Sequence, residues 1–131
     1  MHSMQEKYLF EYAVIRVVPR VEREEFVNVG VILYCPKLKF LEAALLPDFK
    51  RLEKFAPEAD LDEIIAHLHA LELIAKGGTA GGPIGVLDAP SRFRWLTALR
   101  STQVQTSRVH PGFCADPSVK ISALLQEQAG E

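Results

Sequence analysis

The chain has 131 residues and a net charge of -2 at pH 7, with 48% hydrophobic and 24% charged residues. This composition is typical of a folded globular domain and excludes an intrinsically disordered chain. The slightly acidic balance excludes a protein that binds polyanions over its whole surface, because phosphate affinity requires clustered cations. The length fits one domain and no segment has the apolar length of a membrane span, so we expect a single-domain cytoplasmic protein without membrane contacts.

The first half of the chain predicts an antiparallel β-meander. Residues 8–18 are β-branched and aromatic on both faces, which is typical of a central strand. Residues 26–34 place Asn28 and Gly30 on one face of a second strand. The opposite face carries four apolar side chains, namely Val27, Val29, Val31 and Leu33. A third strand is expected at about residues 38–46.

The second half predicts helices and one more strand. Asp60, followed by Glu63, resembles a capping box, and apolar residues recur at helical spacing from there until Gly77 and Gly78 end the helix. Three further elements are expected, which are a short helix from Ser91, a polar strand at about 102–109 and a C-terminal helix from Asp116-Pro117. The expected fold is therefore α+β, a single domain in which helices pack on an antiparallel meander of three to four strands.

A polar group is predicted on the face of the hairpin away from the valine stripe. If the first two strands pair regularly, Arg16 lies opposite Asn28, and Val14 lies opposite Gly30. A symmetric three-residue loop after the second strand then brings Glu42 next to Gly30. One interpretation is a pocket floor in which Arg16 is a bidentate anion donor. The other is structural, with Arg16 paired to Glu42 or to a helix C-terminus.

A cationic segment follows in the last third of the chain. Residues 91–102 interleave three arginines with two aromatic residues before a hydroxyl-rich turn, and the candidates are Arg94, Trp95, Arg100, Ser101 and Thr102, with Gln105 just beyond. Guanidinium groups beside aromatic faces suit phosphate or base recognition. The alternative is an amphipathic helix with Phe93, Leu96 and Leu99 buried and the arginines in solvent.

No motif predicts a metal or a cofactor, and we expect neither. Cys35 and Cys114 lack the spacing of a zinc site, and the glycine-rich residues 77–90 lack the Gly-Lys-Ser/Thr ending of a phosphate loop. His67 and His69 diverge on a helix, because metal pairs there need a spacing of three or four residues. His110 and Cys114 could meet as base and nucleophile, but a cysteine before a helix is more often a packing residue.

Two long stretches of the chain carry a family resemblance. The first runs through Tyr12–Arg20 and Glu24–Leu33, and the second through Phe93–Thr97, Arg100–Thr102, Gln105–Ser107, Val109–His110 and Asp116–Pro117. Together they resemble the bacterial family of domain of unknown function 3037, DUF3037. The resemblance implies no activity and no catalytic residue. It does imply that members are often encoded beside a HipA-like kinase, and it gives weight to both candidate segments together.

The sequence leaves two functional hypotheses open. The leading one is a non-catalytic partner or regulatory module, for example of a HipA-like kinase encoded nearby, because no catalytic triad, metal set or carboxylate pair can be assembled. The alternative is a nucleotide or nucleic-acid binding domain or enzyme, in which Arg16, Arg94 and Arg100 bind phosphates and Trp95 stacks on a base. For such an anionic ligand we expect one cleft that includes Arg16, Asn28 and Arg100.

Overall fold

The computed structural model describes residues 6–20, 25–98 and 102–130, which form one antiparallel sheet with helices on both faces. The strands of these ranges are β1 (Tyr8–Val17), β2 (Val27–Cys35), β3 (Phe40–Leu45), β4 (Val104–Thr106) and β5 (His110–Cys114). Their α-helices are α1 (Lys50–Phe55), α2 (Leu61–Lys76), α3 (Gly82–Gly85), α4 (Ala89–Leu96) and α5 (Pro117–Ala129). The α+β prediction and the β1–β2–β3 meander are confirmed.

Strand β1 is the centre of the sheet. It pairs with β2 on one side and with both β4 and β5 on the other, in the order β3-β2-β1-β4 with β5 beside the first half of β1. On one face, which we call the α2 face, Ile15 and Val17 join a core with residues of α2 and α4. On the other, the α5 face, Phe10 and Val14 join a core with residues of α5. Two buried faces explain why β1 is apolar on both parities.

A β-bulge between β1 and β2 reverses the alternation of β2. Arg16 pairs with Asn28 as predicted, but Ile15 pairs with Gly30, so Val29 is an extra residue on β2. Val29 therefore contributes to the α2 face, whereas Val31 contributes to the α5 face. The predicted single valine stripe is wrong beyond Val29, because one inserted residue exchanges the faces of everything that follows it.

The connection from β2 to β3 is longer than the predicted three-residue loop. Cys35 continues the strand and pairs with Phe40, while Pro36–Leu38 form a 3-10 turn. Lys39 closes the turn at a φ of 54°, in the left-handed region. Proline begins this turn readily, because its ring fixes a φ near -65°. The register of β3 against β2 moves by three residues as a result.

The helix boundaries follow local signals. The Asp60 carboxylate accepts a hydrogen bond from the Glu63 amide, and Gly77 ends α2 at a positive φ of 85°, both as the sequence predicts. Helix α4 begins at Ala89, before the predicted Ser91, because Asp88 is its N-cap and accepts from the Ser91 amide. That hydrogen bonding lowers the pKa of Asp88. Among the described ranges, no helix has the length and apolar character needed to cross a lipid bilayer.

Three short elements were not predicted. Helix α1 follows Pro47, α3 lies within the expected glycine-rich loop, and β5 occupies what reads as a turn-rich segment around Pro111 and Gly112. Strand β5 lies along β1 at one edge of the sheet, which is where a proline is tolerated. Tertiary pairing therefore prevails over local turn propensity in this segment.

Ser107 joins β4 to β5 at a break in the edge of the sheet. Its amide donates to the Val14 carbonyl at 2.8 Å, as a strand residue would. Its hydroxyl accepts from the Val14 amide at 2.9 Å and donates to the Arg108 carbonyl at 2.9 Å. The side chain thus replaces a backbone acceptor for a buried amide of β1.

We expect Ser107→Ala to lower the free energy of unfolding by about 1–3 kcal/mol, because the Val14 amide would lose its acceptor inside the core. Denaturant unfolding measures this change. Ser122→Ala is the matched control, since Ser122 is exposed and its hydroxyl makes only a 3.4 Å bond to Ser118; the change should stay within about 0.5 kcal/mol. Equal stability of the two variants would contradict the role assigned to Ser107.

Candidate functional site

The central feature of the α5 face is a polar row across three strands, formed by Gln105 of β4, Arg16 of β1 and Asn28 of β2. Arg16 pairs directly with Gln105 on one side and with Asn28 on the other. Directly opposed residues of antiparallel strands share a face, so the three side chains lie next to one another. The row unites Gln105, the candidate just beyond the cationic segment, with the predicted hairpin face.

Arg16 has an unusual environment for a strand residue. Its guanidinium carbon lies 4.3 Å from the centre of the Phe26 ring, a cation–π contact. Its Nε atom is buried and has no hydrogen-bond acceptor, and no acidic side chain in the described part of the chain forms an ion pair with it. Burial lowers the pKa of Arg16, although a guanidinium keeps its charge in proteins. Phe26 itself is 46% exposed, so this cation stands at an accessible aromatic surface.

Asn28 and Arg51 hold the C-terminal end of α5 against the sheet. The Asn28 amide group donates to the Gln128 carbonyl at 2.8 Å. The Arg51 guanidinium donates to the carbonyls of Ala129 and Asn28. Cations and donors near a helix C-terminus satisfy its free carbonyls and complement its dipole. Arg51 therefore fills the helix-terminus role that the sequence suggested for Arg16.

Glu42 and Gly30 are not part of the polar row. The register of β3 places Glu42 opposite Leu33, and Leu45 opposite Gly30, so the predicted contact of Glu42 with Gly30 is wrong. A Cβ atom on Gly30 would lie 2.6 Å from the Ala44 carbonyl oxygen and 2.8 Å from a Leu45 methyl carbon. Gly30 is thus needed for the close approach of β3, and the space predicted for a ligand is occupied by that strand.

Arg94 and Trp95 lie on the other side of the sheet. Helix α4 packs on the α2 face through Phe93 and Leu96, and Trp95 is half-buried against the same core. Arg94 is exposed and donates to the Ser91 hydroxyl at 3.2 Å. The sheet separates these two side chains from Arg16, because α4 and the polar row belong to opposite faces.

The remaining candidates are Arg100, Ser101, Thr102 and Gln105. Arg100 and Ser101, like Leu99, lie outside the described residues, so the predicted cleft of Arg16 with Arg100 stays a prediction. The Thr102 hydroxyl donates to the Val104 carbonyl at 2.7 Å, and the Gln105 side chain donates to the Thr102 carbonyl at 2.7 Å. Thr102 therefore lies in the turn that leads into β4, and the side chain of Gln105, a residue of β4 beside Arg16, holds that turn.

Arg92 has a structural role that the sequence did not reveal. It donates from Nη1 to the carbonyls of Ile74 and Ala75 at 3.0 and 2.6 Å, and from Nε to the Leu87 carbonyl at 3.0 Å. The guanidinium therefore caps the C-terminus of α2 and ties the following loop to it. The short stretch of sequence between α2 and α4 allows a side chain of α4 to contact the end of α2. Only the fold shows which arginine makes that contact.

Among the described residues, His110 and Cys114 do not assemble a reactive site. The His110 ring lies 5.3 Å from the Tyr12 ring, whereas Cys114 is four residues further along β5, about 13 Å away at strand spacing. Burial, and next the neighbouring Cys35, raise the pKa of Cys114, which opposes thiolate formation. The predicted possibility of a Cys114–His110 pair is wrong. Across the described ranges, no three His, Cys, Asp or Glu side chains gather closely enough to hold a metal ion.

Fold and site together define an α+β domain with a central two-faced strand and an arginine–aromatic surface at the end of its last helix. The family model described as protein of unknown function, DUF3037, matches residues 12–129. The chain therefore belongs to the DUF3037 family, as its sequence motifs predicted. Comparison with curated proteins and with solved structures gives no match.

Two neighbouring arginines of α4 should differ sharply when replaced. We expect Arg92→Ala to lower the free energy of unfolding by about 1–2 kcal/mol, because the last carbonyls of α2 lose a cationic donor. Arg94→Ala should change it by no more than about 0.5 kcal/mol, since Arg94 is exposed. Thermal and urea unfolding of both variants test the assignment. A larger loss of stability in Arg94→Ala than in Arg92→Ala would contradict the assignment.

Proposed function

We propose that this protein is a non-catalytic partner module that docks through the Arg16–Phe26 surface. One observation carries the proposal, namely a charged guanidinium in cation–π contact with an exposed aromatic ring and without an acidic partner among the described residues. Arginine and aromatic residues are the types most enriched at the energetic centres of protein interfaces. The surface has the chemistry of an interface anchor.

The geometry of Arg16 suits a carboxylate from a partner. The guanidinium carbon lies 4.3 Å from the centre of the Phe26 ring, and a guanidinium held by such a contact loses less conformational entropy when it forms a bidentate contact. Gln105 on one side and Asn28 on the other add amide groups to the same row. An acidic side chain seated here would pair with Arg16 and accept from its neighbours.

The family resemblance directs the first search for a partner to a HipA-like kinase encoded nearby. In this proposal the module contributes a binding surface and the partner contributes any chemistry. Binding then serves to position or regulate that kinase. The interaction should be direct and stoichiometric, because a regulatory module acts by occupying a surface of its partner.

The alternative function is binding of a nucleotide or nucleic acid, with Arg16 as the phosphate ligand. The accessible guanidinium favours it, since arginine binds phosphate as well as carboxylate. Trp95 and Arg94 cannot join Arg16 in this role, because they lie across the sheet from it. An anion site here would therefore rely on Arg16 and the residues around β4.

Binding to the purified kinase-like protein tests the main proposal. We expect Arg16→Ala to weaken the complex by at least tenfold, as an interface anchor should. Arg16→Lys keeps the charge but loses the planar fork, and should recover only part of the affinity. Arg94→Ala is the matched control and should bind as the native protein does. A complex that is indifferent to Arg16, or no complex with this kinase in a two-protein mixture, would contradict the proposal.

A thermal-shift comparison distinguishes the alternative function, binding of a nucleotide or nucleic acid, from the partner proposal. If the surface binds phosphates, ATP, GTP or single-stranded DNA should raise the melting temperature of the native protein at low salt by mass action. The rise should disappear in Arg16→Ala and persist in Arg94→Ala. No rise with any of these ligands would eliminate the alternative and leave the partner proposal untouched.

A further inference from the structure

A pocket of about 590 Å³ lies where the connection from β3 to α1 meets α1 and the last turn of α5. Residues 46–48 form one part of its wall, α1 forms another, and the end of α5, with Ala129 and Gly130, forms the third. Sites for small organic ligands have volumes of about 300–1,000 Å³. The pocket is therefore large enough for a small molecule.

The side chains in the wall of this pocket carry an excess of positive charge. Lys50, Arg51 and Lys54 line it, and Asp48 is the one acidic residue that the structure describes there. None of these three cations forms an ion pair with another described residue. Asp48 accepts a hydrogen bond from the Lys50 amide at 3.1 Å, so its carboxylate caps the start of α1. Lys50 and Lys54 are exposed and lie four residues apart on α1, where like charges repel, and a bound anion would relieve that repulsion.

The hydrogen-bonding capacity of Arg51 is only partly used. Its Nη2 atom donates to the carbonyls of Asn28 and Ala129. Its Nε atom is buried without an acceptor, and its Nη1 atom has no recorded bond to another described residue. The C-terminus of α5 carries about half a unit of negative charge, which offsets only part of the guanidinium charge. Together with the two lysines and Asp48, this leaves the pocket with a positive charge of more than one unit.

We propose that the pocket between α1 and α5 binds a small molecule that carries a phosphomonoester group. Such a group has a charge of about -1.5 to -2 at pH 7, which matches the excess in the pocket better than a single carboxylate does. Arginine binds phosphate through its planar N–H groups, and lysines add point charges. Leu46 and Pro47 supply apolar wall for the organic part of the ligand. This site does not depend on the Arg16–Phe26 surface.

Amide chemical shifts of the full chain, measured by NMR at low salt, test this binding. The probes are glycerol 3-phosphate and glucose 6-phosphate, each compared with the unphosphorylated parent, and succinate as a dicarboxylate of similar charge. These probes carry no base, so they keep this site separate from nucleotide binding at Arg16. We expect the two phosphomonoesters to produce saturable shifts at residues 46–54 and 126–130, and the parent compounds to produce none.

Neutral replacements of the two lysines assign the binding to the pocket. Lys50→Gln and Lys54→Gln should each weaken it by about fivefold, because each removes one charge close to the phosphate. The double variant should show no measurable binding. Both side chains are exposed, so the melting temperature should stay close to that of the native protein. Lys76→Gln is the matched control, since it removes the same charge from an exposed position of α2, and it should bind as the native protein does.

Several outcomes would overturn the proposal. Neither phosphomonoester produces saturable shifts, or the shifts centre on Phe26 and Gln105 instead of the pocket. The double lysine variant binds as tightly as Lys76→Gln. Succinate binds as tightly as the phosphomonoesters, which would make the pocket a general site for dianions. A short peptide with one phosphoserine binds more than tenfold more tightly than both probes, which would place the phosphate on a partner protein.

Discussion

The fold depends on the burial of β1 from both sides. Phe10 and Val14 face the core under α5, while Ile15 and Val17 face the core under α2 and α4. Because both faces bury apolar surface, a polar side chain on this strand has to reach an edge of a core to find water. Arg16 does so near the end of the strand, where its guanidinium contacts the Phe26 ring. The packing of β1 therefore sets the position of the polar row. As a consequence, the charge of Arg16 is accessible.

Two arginines, Arg92 and Arg51, bind the C-terminal ends of helices. Arg92 holds the last turn of α2, and Arg51 does the same for α5, with Asn28 as its helper. Both helices lie on the sheet and end close to another element, so their free carbonyls need donors from outside the helix. Because these two guanidinium groups already donate to backbone carbonyls, they have fewer donors left for a ligand. Arg16 differs from both, because its guanidinium donates to no helix end among the described residues.

The sequence predicted the secondary-structure elements more reliably than the way these elements pair and pack. The capping residues Asp60 and Asp116 and the two-faced pattern of β1 rest on local chemistry, and the structure agrees with them. The position of Glu42 depended on a loop length, and the position of Val29 on the absence of a bulge. Neither is encoded by nearby side chains, since both are decided by how three strands fit together. Gln105 could be placed beside Arg16 only when β4 was known to pair with β1.

The inserted residue Val29 also constrains how this family can change length. Beyond it, β2 presents Ile32 and Tyr34 to one core and Val31 and Leu33 to the other, and β3 inherits the same phase. Loss of one residue here would exchange the two faces of β2 beyond the bulge, and because the side chains on both of those faces are apolar or aromatic, the hydrophobic pattern of β2 alone would not reveal the damage. Relatives should therefore tolerate insertions in the β2–β3 turn far better than a single deletion in β2. In an alignment, the bulge is the fixed point from which the strands on either side should be counted.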